Sequence, residues 1–275
     1  MKLNILILAG IVSSLALSAC APKADNAGEI QTSGEAIIGG TEVQLGDKVQ
    51  ESIVAVYDAN EGQLCTGSLL PNNLVLTAAH CIGSEPESMF VMFDTKLTQN
   101  SLRRQVDKVE VSPYWESRQY GKKDTGDIAL VHFTGSVPAG YKPATFISTA
   151  NKNLLKKGAT VILAGFGISD GVTGDGAGIL RVTTVKIEDP AFSSSEMKLN
   201  QTRGQGACHG DSGGPAFIDI KGKLYLWGIT SRGVEDEKND CSQFSAYTSA
   251  LFYKTWLNRM ANKLSTSLVN PQVAK

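Results

Sequence analysis

The amino-acid sequence predicts an all-β body of sandwich or barrel architecture, on three observations. Short runs rich in Val, Ile, Leu and aromatic residues recur along the chain, bounded by Gly, Pro, Asn or Asp. The 275 residues include 28 glycines, and Ser/Thr/Asn clusters recur between the apolar runs, which favours turns over long helices. Helical spacing is confined to a C-terminal stretch, 249–264, where Leu251, Trp256, Leu257, Met260 and Leu264 would share one face. Hydrophobic residues make up 42% and charged residues 19%, the balance of a chain that buries a core. With 26 Lys+Arg against 27 Asp+Glu the net charge is −1, so the basic excess of a nucleic-acid binder is missing.

Taken in order, residues 1–20 predict an export signal. Lys2 supplies the positive start, and 3–17 is apolar apart from Asn4, Gly10, Ser13 and Ser14, too weakly so for a spanning helix. The signal ends in Leu17-Ser18-Ala19-Cys20, which resembles the bacterial lipobox, whose cysteine takes a diacylglycerol and becomes the mature N-terminus. The plainer alternative is an ordinary signal peptide with Cys20 incidental. A lipidated Cys20 would leave four of the five cysteines for disulfides, which export permits. The acyl chains would hold the protein on a cell-envelope membrane without a spanning segment. Residues 21–36 are small and polar and read as a flexible tether. The body runs from 37 to 264, with strands expected at 52–57, 67–70, 74–77, 90–93, 106–111, 128–133, 160–166, 180–187, 224–230 and 244–248. Pro138, Gly140 and Pro143 break regular structure over 136–157, where the chain is expected to cross from one half to the other. The glycine-rich 165–178 reads as an exposed loop, and 265–275 as a frayed tail.

The most informative segment is Gly210-Asp211-Ser212-Gly213-Gly214-Pro215. A serine among glycines can sit on a tight turn with its hydroxyl exposed and nearby N–H groups turned to a ligand. Alone, the segment also fits the G-x-S-x-G pattern of α/β-hydrolases, which need a histidine after the serine. The three histidines are His80, His132 and His209, all before Ser212. The order His, Asp, Ser remains, with His80 in Leu-Thr-Ala-Ala-His-Cys and Asp127 in Gly-Asp-Ile-Ala-Leu. Asp124 is a rival carboxylate; Asp127 is preferred because it opens the apolar run 128–131, which could bury one side of it. A serine hydroxyl is a weak nucleophile at neutral pH. An imidazole takes its proton and later returns one to the leaving amine, while a buried carboxylate holds the imidazole tautomer.

Together these segments resemble the trypsin/chymotrypsin family of serine proteases. The likeness extends to Ile37-Ile38-Gly39-Gly40, which looks like the family's activated N-terminus, and to 228–233, which looks like its substrate-binding strand. It spans 37–264. The resemblance implies two antiparallel six-stranded β-barrels with a C-terminal helix and an active cleft between the barrels. It implies catalysis by His80, Asp127 and Ser212, an oxyanion hole from the N–H groups of Gly210 and Ser212, and disulfides Cys65–Cys81 and Cys208–Cys241. It also implies activation by cleavage before Ile37, whose new amine pairs with Asp211. Substrate would meet Gly206, Ala207, His209, Ser231, Gly233 and Ser245, with Gly206 at the floor of the primary pocket and Ser245 on its wall.

The sequence departs from the pattern in three places. Ala36 precedes the activation point where many relatives carry Arg or Lys. Gly206 leaves the pocket floor uncharged, so cleavage after Ala, Val, Leu or Met is expected, with Phe and Tyr admitted if Ser245 points away. Arg232 stands where tryptophan is usual, favouring an acidic residue further along the substrate. The contrary reading lets Asp236, Glu237 or Asp240 swing into the pocket and restore basic specificity. No cofactor or metal is implied, and Glu85 and Glu87 read as a solvated acidic loop. His132 is expected to be structural, and Lys152, Lys156 and Lys157 a solvated patch. The implied partners are a protein or peptide substrate and a protease inhibitor, with the enzyme a monomer. The competing functions are a non-catalytic binding module on the same fold, which would be expected to have lost a triad residue, and an esterase or amidase using the same triad.

Overall fold

The computed structural model describes residues 37–116 and 123–266. The expected export signal with Cys20, the tether through Ala36, and residues 267–275 of the tail lie outside the described residues. Thirteen strands form among the described residues. They are β1 (Thr41–Glu42), β2 (Ile53–Asp58), β3 (Gln63–Leu70), β4 (Leu74–Thr77), β5 (Met89–Phe93), β6 (Leu102–Val111), β7 (Ala129–Phe133), β8 (Thr160–Gly165), β9 (Arg181–Asp189), β10 (Glu196–Asn200), β11 (Pro215–Ile220), β12 (Lys223–Val234) and β13 (Phe244–Ser249). The helices are the short α1 (Pro113–Glu116) and the C-terminal α2 (Lys254–Thr266).

Strands β2-β3-β4-β7-β6-β5 close into one antiparallel barrel. The second barrel runs β9-β10-β13-β12-β11-β8 and closes through pairing of β8 with β9, while β1 adds to its margin on β9. The two six-stranded barrels and the C-terminal helix are therefore as the resemblance implied.

The apolar runs read as near-continuous because both strand faces are buried. In β2, Val54 and Val56 point into the first barrel with Leu69, Val75 and Val131. Its alternate residues Ile53 and Ala55 join Leu76, Phe166, Ile229, Tyr253 and Trp256 in a cluster between the barrels and under α2. Ile37, Leu163, Leu199, Trp227 and Tyr247 fill the second barrel. Each large apolar side chain so buried contributes about 1.5–3 kcal/mol.

The expected strands all form, with ends shifted by a few residues; β1, β10 and β11 were not expected. The sequence of β10, Glu-Met-Lys-Leu-Asn, alternates polar and apolar residues over only five positions; it lies between β9 and β13 and turns Met197 and Leu199 into the second barrel's core. Strand β11 opens on Pro215, tolerated because the first residue of a strand need not donate to the ladder. Helix α2 begins at Lys254, not at 249, because residues 251–253 make a turn first, and it runs to Thr266, into the expected tail. Lys263 ties it to Glu110 of β6 at 2.6 Å. The segment 136–157 does cross between barrels: Ala144 N–H donates to Leu69 O of β3 at 2.8 Å, and Ile147 N–H to Leu226 O of β12 at 2.9 Å.

Candidate active site

His80 follows β4 on a single 3-10 turn, Ala79–Cys81, and the disulfide Cys65–Cys81 ties that turn to β3. Asp127 immediately precedes the Ile128 that leads into β7, and is 2% exposed. His80 Nδ1 lies 2.8 Å from Asp127 Oδ2, and the His80 backbone N–H donates to Oδ1 at 3.1 Å. Ser231 Oγ donates to Oδ2 at 2.6 Å. Ser231 can do so because the register of β12 on β13 shifts between Thr230 and Arg232, a bulge that re-aims one side chain. Burial works against ionisation of Asp127, but the His80 hydrogen bond and charge, with the Ser231 hydroxyl, outweigh it and hold the carboxyl below its ordinary range. An ionised carboxylate only accepts, so Nδ1 carries the hydrogen and Nε2 is left with its lone pair.

Ser212 lies in the loop before β11. Gly210 has φ +94°, and a Cβ there would stand 2.8 Å from Gly167 Cα, so the turn requires glycine. The first barrel grips this loop of the second: Thr66 N–H donates to Ser212 O at 2.9 Å and Thr66 Oγ1 to Gly210 O at 2.9 Å. The disulfide Cys208–Cys241 fixes its other side. Among the described residues, neither the Gly210 N–H nor the Ser212 N–H has a protein acceptor. Ser212, His80 and Asp127 line one cleft of about 790 Å³.

Asp211 is fully buried, its carboxylate receiving the N–H groups of Gly167 and Cys208, each at 2.8 Å. Burial pushes its carboxyl up to about 7, against the pull of those two N–H groups and the Arg181 charge. Ile37 is fully buried in the second barrel's core, and Ile38 O accepts the Gly206 N–H at 2.9 Å.

Of the residues expected to meet substrate, Ala207, His209, Ser231, Gly233 and Ser245 line the cleft. Gly206 does not. It is buried behind Gln201, whose Cδ lies 2.2 Å from where a Gly206 Cβ would stand. Ser245 does not point away, since its hydroxyl donates to Gln201 Oε1 at 2.7 Å. Arg232 is not free to attract an acidic substrate residue: its fork meets Glu196 at 2.8 and 2.9 Å, and the Glu196 side chain is fully buried. Asp236 lines the cleft with Oδ2 accepting the Cys241 N–H, whereas Asp240 caps Ser242 within the loop. Sequence reasoning missed Gln201, Glu196 and Trp115, whose ring centre is 6.1 Å from that of His80. No local pattern marks them.

The remaining expectations are structural. The Asp124 carboxylate accepts from Ser193 and Ser195, whereas the His80 ring bonds Asp127. His132 is buried and bonds Asp107 at 2.5 Å. Lys157 pairs with Glu188 on the surface, and Glu85 and Glu87 are exposed. Among the described residues, the Cys/His groupings Cys65–His80–Cys81 and Cys208–His209–Cys241 have their sulfurs spent on disulfides.

A family model described as Trypsin matches residues 37–257. The chain is 28% identical over 238 residues to chymotrypsin-like elastase family member 1 of Macaca fascicularis, covering 81% of this chain and 88% of that protein. It is 27% identical over 241 residues to the Homo sapiens protein of the same description, covering 82% and 92%. CLIP domain-containing serine protease B4 of Anopheles gambiae is 25% identical over 267 residues, covering 86% of this chain and 72% of that protein. The matched residues take in both barrels and the cleft between them, and so the chain belongs to the trypsin family and is a serine-type endopeptidase.

Proposed function

We propose that the chain hydrolyses peptide bonds through Ser212, His80 and Asp127, after export and after cleavage before Ile37. The observation that carries this reading is the pair of His80 hydrogen bonds to one buried carboxylate in the cleft that Ser212 also lines. Ser212 Oγ attacks the scissile carbonyl carbon as its proton passes to His80 Nε2, and Asp127 stabilises the imidazolium. The N–H groups of Gly210 and Ser212 receive the developing oxyanion, a role in which one donor is worth about 3–4 kcal/mol. His80 returns the proton to the leaving amine, the C–N bond breaks, and an acyl ester remains on Ser212. Water, deprotonated by His80, then releases the acid and restores the serine.

Activation frees the Ile37 amine to pair with Asp211. A fully buried carboxylate that, among the described residues, is held by two backbone N–H groups and a neighbouring arginine's field supports this, because such a charge otherwise stays costly. The primary pocket takes a small or apolar side chain. Ala36 fits it, which makes cleavage before Ile37 by a second copy of this enzyme the simplest activation. Lipidation at Cys20 would tether the precursor to a bacterial envelope membrane, and cleavage would release the barrels. The test is fluorophosphonate labelling of the intact chain and of a chain beginning at Ile37. Labelling confined to the latter, and absent in Ser212→Ala, is expected. Equal labelling of both forms would overturn the activation step, and labelling of Ser212→Ala would overturn the nucleophile.

A further inference from the structure

We propose that Gln201 forms the floor of the primary pocket and restricts it to the shortest side chains, Gly, Ala and Ser, excluding Leu, Met, Phe and Tyr. This rests on the protease reading above and narrows its substrate class.

Gln201 directly follows β10 and is 1% exposed, yet it borders the cleft. Its Nε2 donates to Ala207 O at 3.0 Å and to Cys241 O at 2.8 Å. Its Oε1 accepts from Ala207 N at 2.9 Å and from Ser245 Oγ at 2.7 Å. A carboxamide has two N–H donors and two acceptor lone pairs, so these contacts use its whole capacity. Two consequences follow. A substrate side chain cannot push the amide aside without breaking all of these buried bonds together. Nor can the amide serve a polar substrate group, since it has no donor or acceptor left to offer.

The amide also sets the depth. A Gly206 Cβ would overlap Gln201, with Cδ at 2.2 Å, Cγ at 2.4 Å and Oε1 at 2.5 Å. Gly206 is thus the residue that admits the plug, and the base of the pocket is raised from the 206 backbone to the near face of the amide, by about one van der Waals contact of 3.5 Å. The Gln201 N–H, held by Gln243 O at 2.9 Å, and the Cys208–Cys241 disulfide keep both sides of the plug in place. Of the acids that line the cleft, Asp127 is bonded to His80 and Glu235 to Lys198, while Asp236 has Oδ2 3.6 Å from where a Gly233 Cβ would be and accepting the Cys241 N–H, with its Oδ1 buried and without a hydrogen-bond partner among the described residues.

The experiment measures kcat/KM on peptides that differ only in the residue before the scissile bond (Ala, Val, Leu, Phe, Arg), using the chain that begins at Ile37. Each methylene too many in a closed apolar pocket costs about tenfold or more, so the wild type should prefer Ala to Leu and Phe by at least that factor. In Gln201→Gly the Phe-to-Ala ratio should rise at least about tenfold. Gln201→Ser, which retains a hydroxyl to meet Ala207, covers the case in which the glycine variant fails to fold. An unchanged Phe-to-Ala ratio in a folded variant would overturn the proposal, as would a wild type that cuts best after Leu or Phe. Preferred cutting after Arg would overturn it too and give the floor to Asp236. Wild-type rates no higher than those of Ser212→Ala would instead remove the protease reading on which the proposal stands.

Discussion

Joining Ile37 to the chain before it should leave a measurable pH-dependent instability in the serine loop. Burial pushes the Asp211 carboxyl up to about 7 in the folded chain, against an ordinary value of 3.8. The folded state therefore holds a proton that the unfolded state has lost between those limits. Stability falls as pH rises from about 4 to about 7 and is level above that. The gap is about 3 pH units, or about 4 kcal/mol at 1.36 kcal/mol per unit. A free Ile37 amine would supply the opposite charge and return Asp211 to its ionised range, removing that loss until the amine itself deprotonates above about pH 8. The assay is urea unfolding at pH 4, 5.5, 7 and 8 of two Ser212→Ala proteins, one intact and one beginning at Ile37. The serine substitution prevents self-digestion. Titrations common to both cancel in the difference, which should grow to about 4 kcal/mol between pH 4 and 7 in favour of the shorter chain. Asp211→Asn in the intact chain should abolish most of the pH dependence. Superimposable pH profiles for the two chain lengths would refute the reasoning, because Asp211 would then have its full complement of partners before cleavage.

In the chain beginning at Ile37, His80→Ala should abolish peptide hydrolysis, and Asp127→Asn should lower kcat by about 10⁴ through loss of the correct imidazole tautomer. Because the Asp127 carboxyl is held below 3.8, its contribution to stability is present above about pH 4 and is lost as pH falls below it; acid unfolding of Asp127→Asn should be correspondingly less steep, as circular dichroism would record. Replacing Cys65 and Cys81 by serine, which opens a loop of 16 residues, should cost about 3 kcal/mol in urea unfolding, and opening the 33-residue Cys208–Cys241 loop about 4 kcal/mol. Arg232→Ala leaves the Glu196 carboxylate buried without its cationic partner, with only the Thr125 hydrogen bonds left among the described residues, and should cost about 3–5 kcal/mol, whereas Arg232→Ala with Glu196→Gln should recover much of that loss; equal instability of the single and double variants would count against the pair.

The residues of the candidate triad were legible because each needs a local backbone arrangement that only a few residue types permit. Gly210 and Gly213 flank Ser212 where the turn runs at positive φ, and Cys81 beside His80 marks where a disulfide must hold the chain. The apolar runs of β2, β4 and β7 were legible as strands by composition, although burial of both faces erased the alternation that would have told their two sides apart. The second layer was illegible for a different reason. Strand β10 alternates polar and apolar residues over five positions, which signals a strand but not what its polar members bind; pairing with β9 and β13 buries Glu196 against Arg232 and leads the chain into Gln201. Gln201 is separated by six residues from Ala207, by 40 from Cys241 and by 44 from Ser245, and only closure of the second barrel brings the four together. By itself, then, the sequence determined the family's chemistry and its candidate nucleophile, base and turn glycines, since each is set by what a residue can do within its own segment. The tertiary structure alone decided what that chemistry meets. The shape and polarity of a pocket depend on which distant side chains satisfy one another's hydrogen bonds, and that pairing does not exist until the barrel closes.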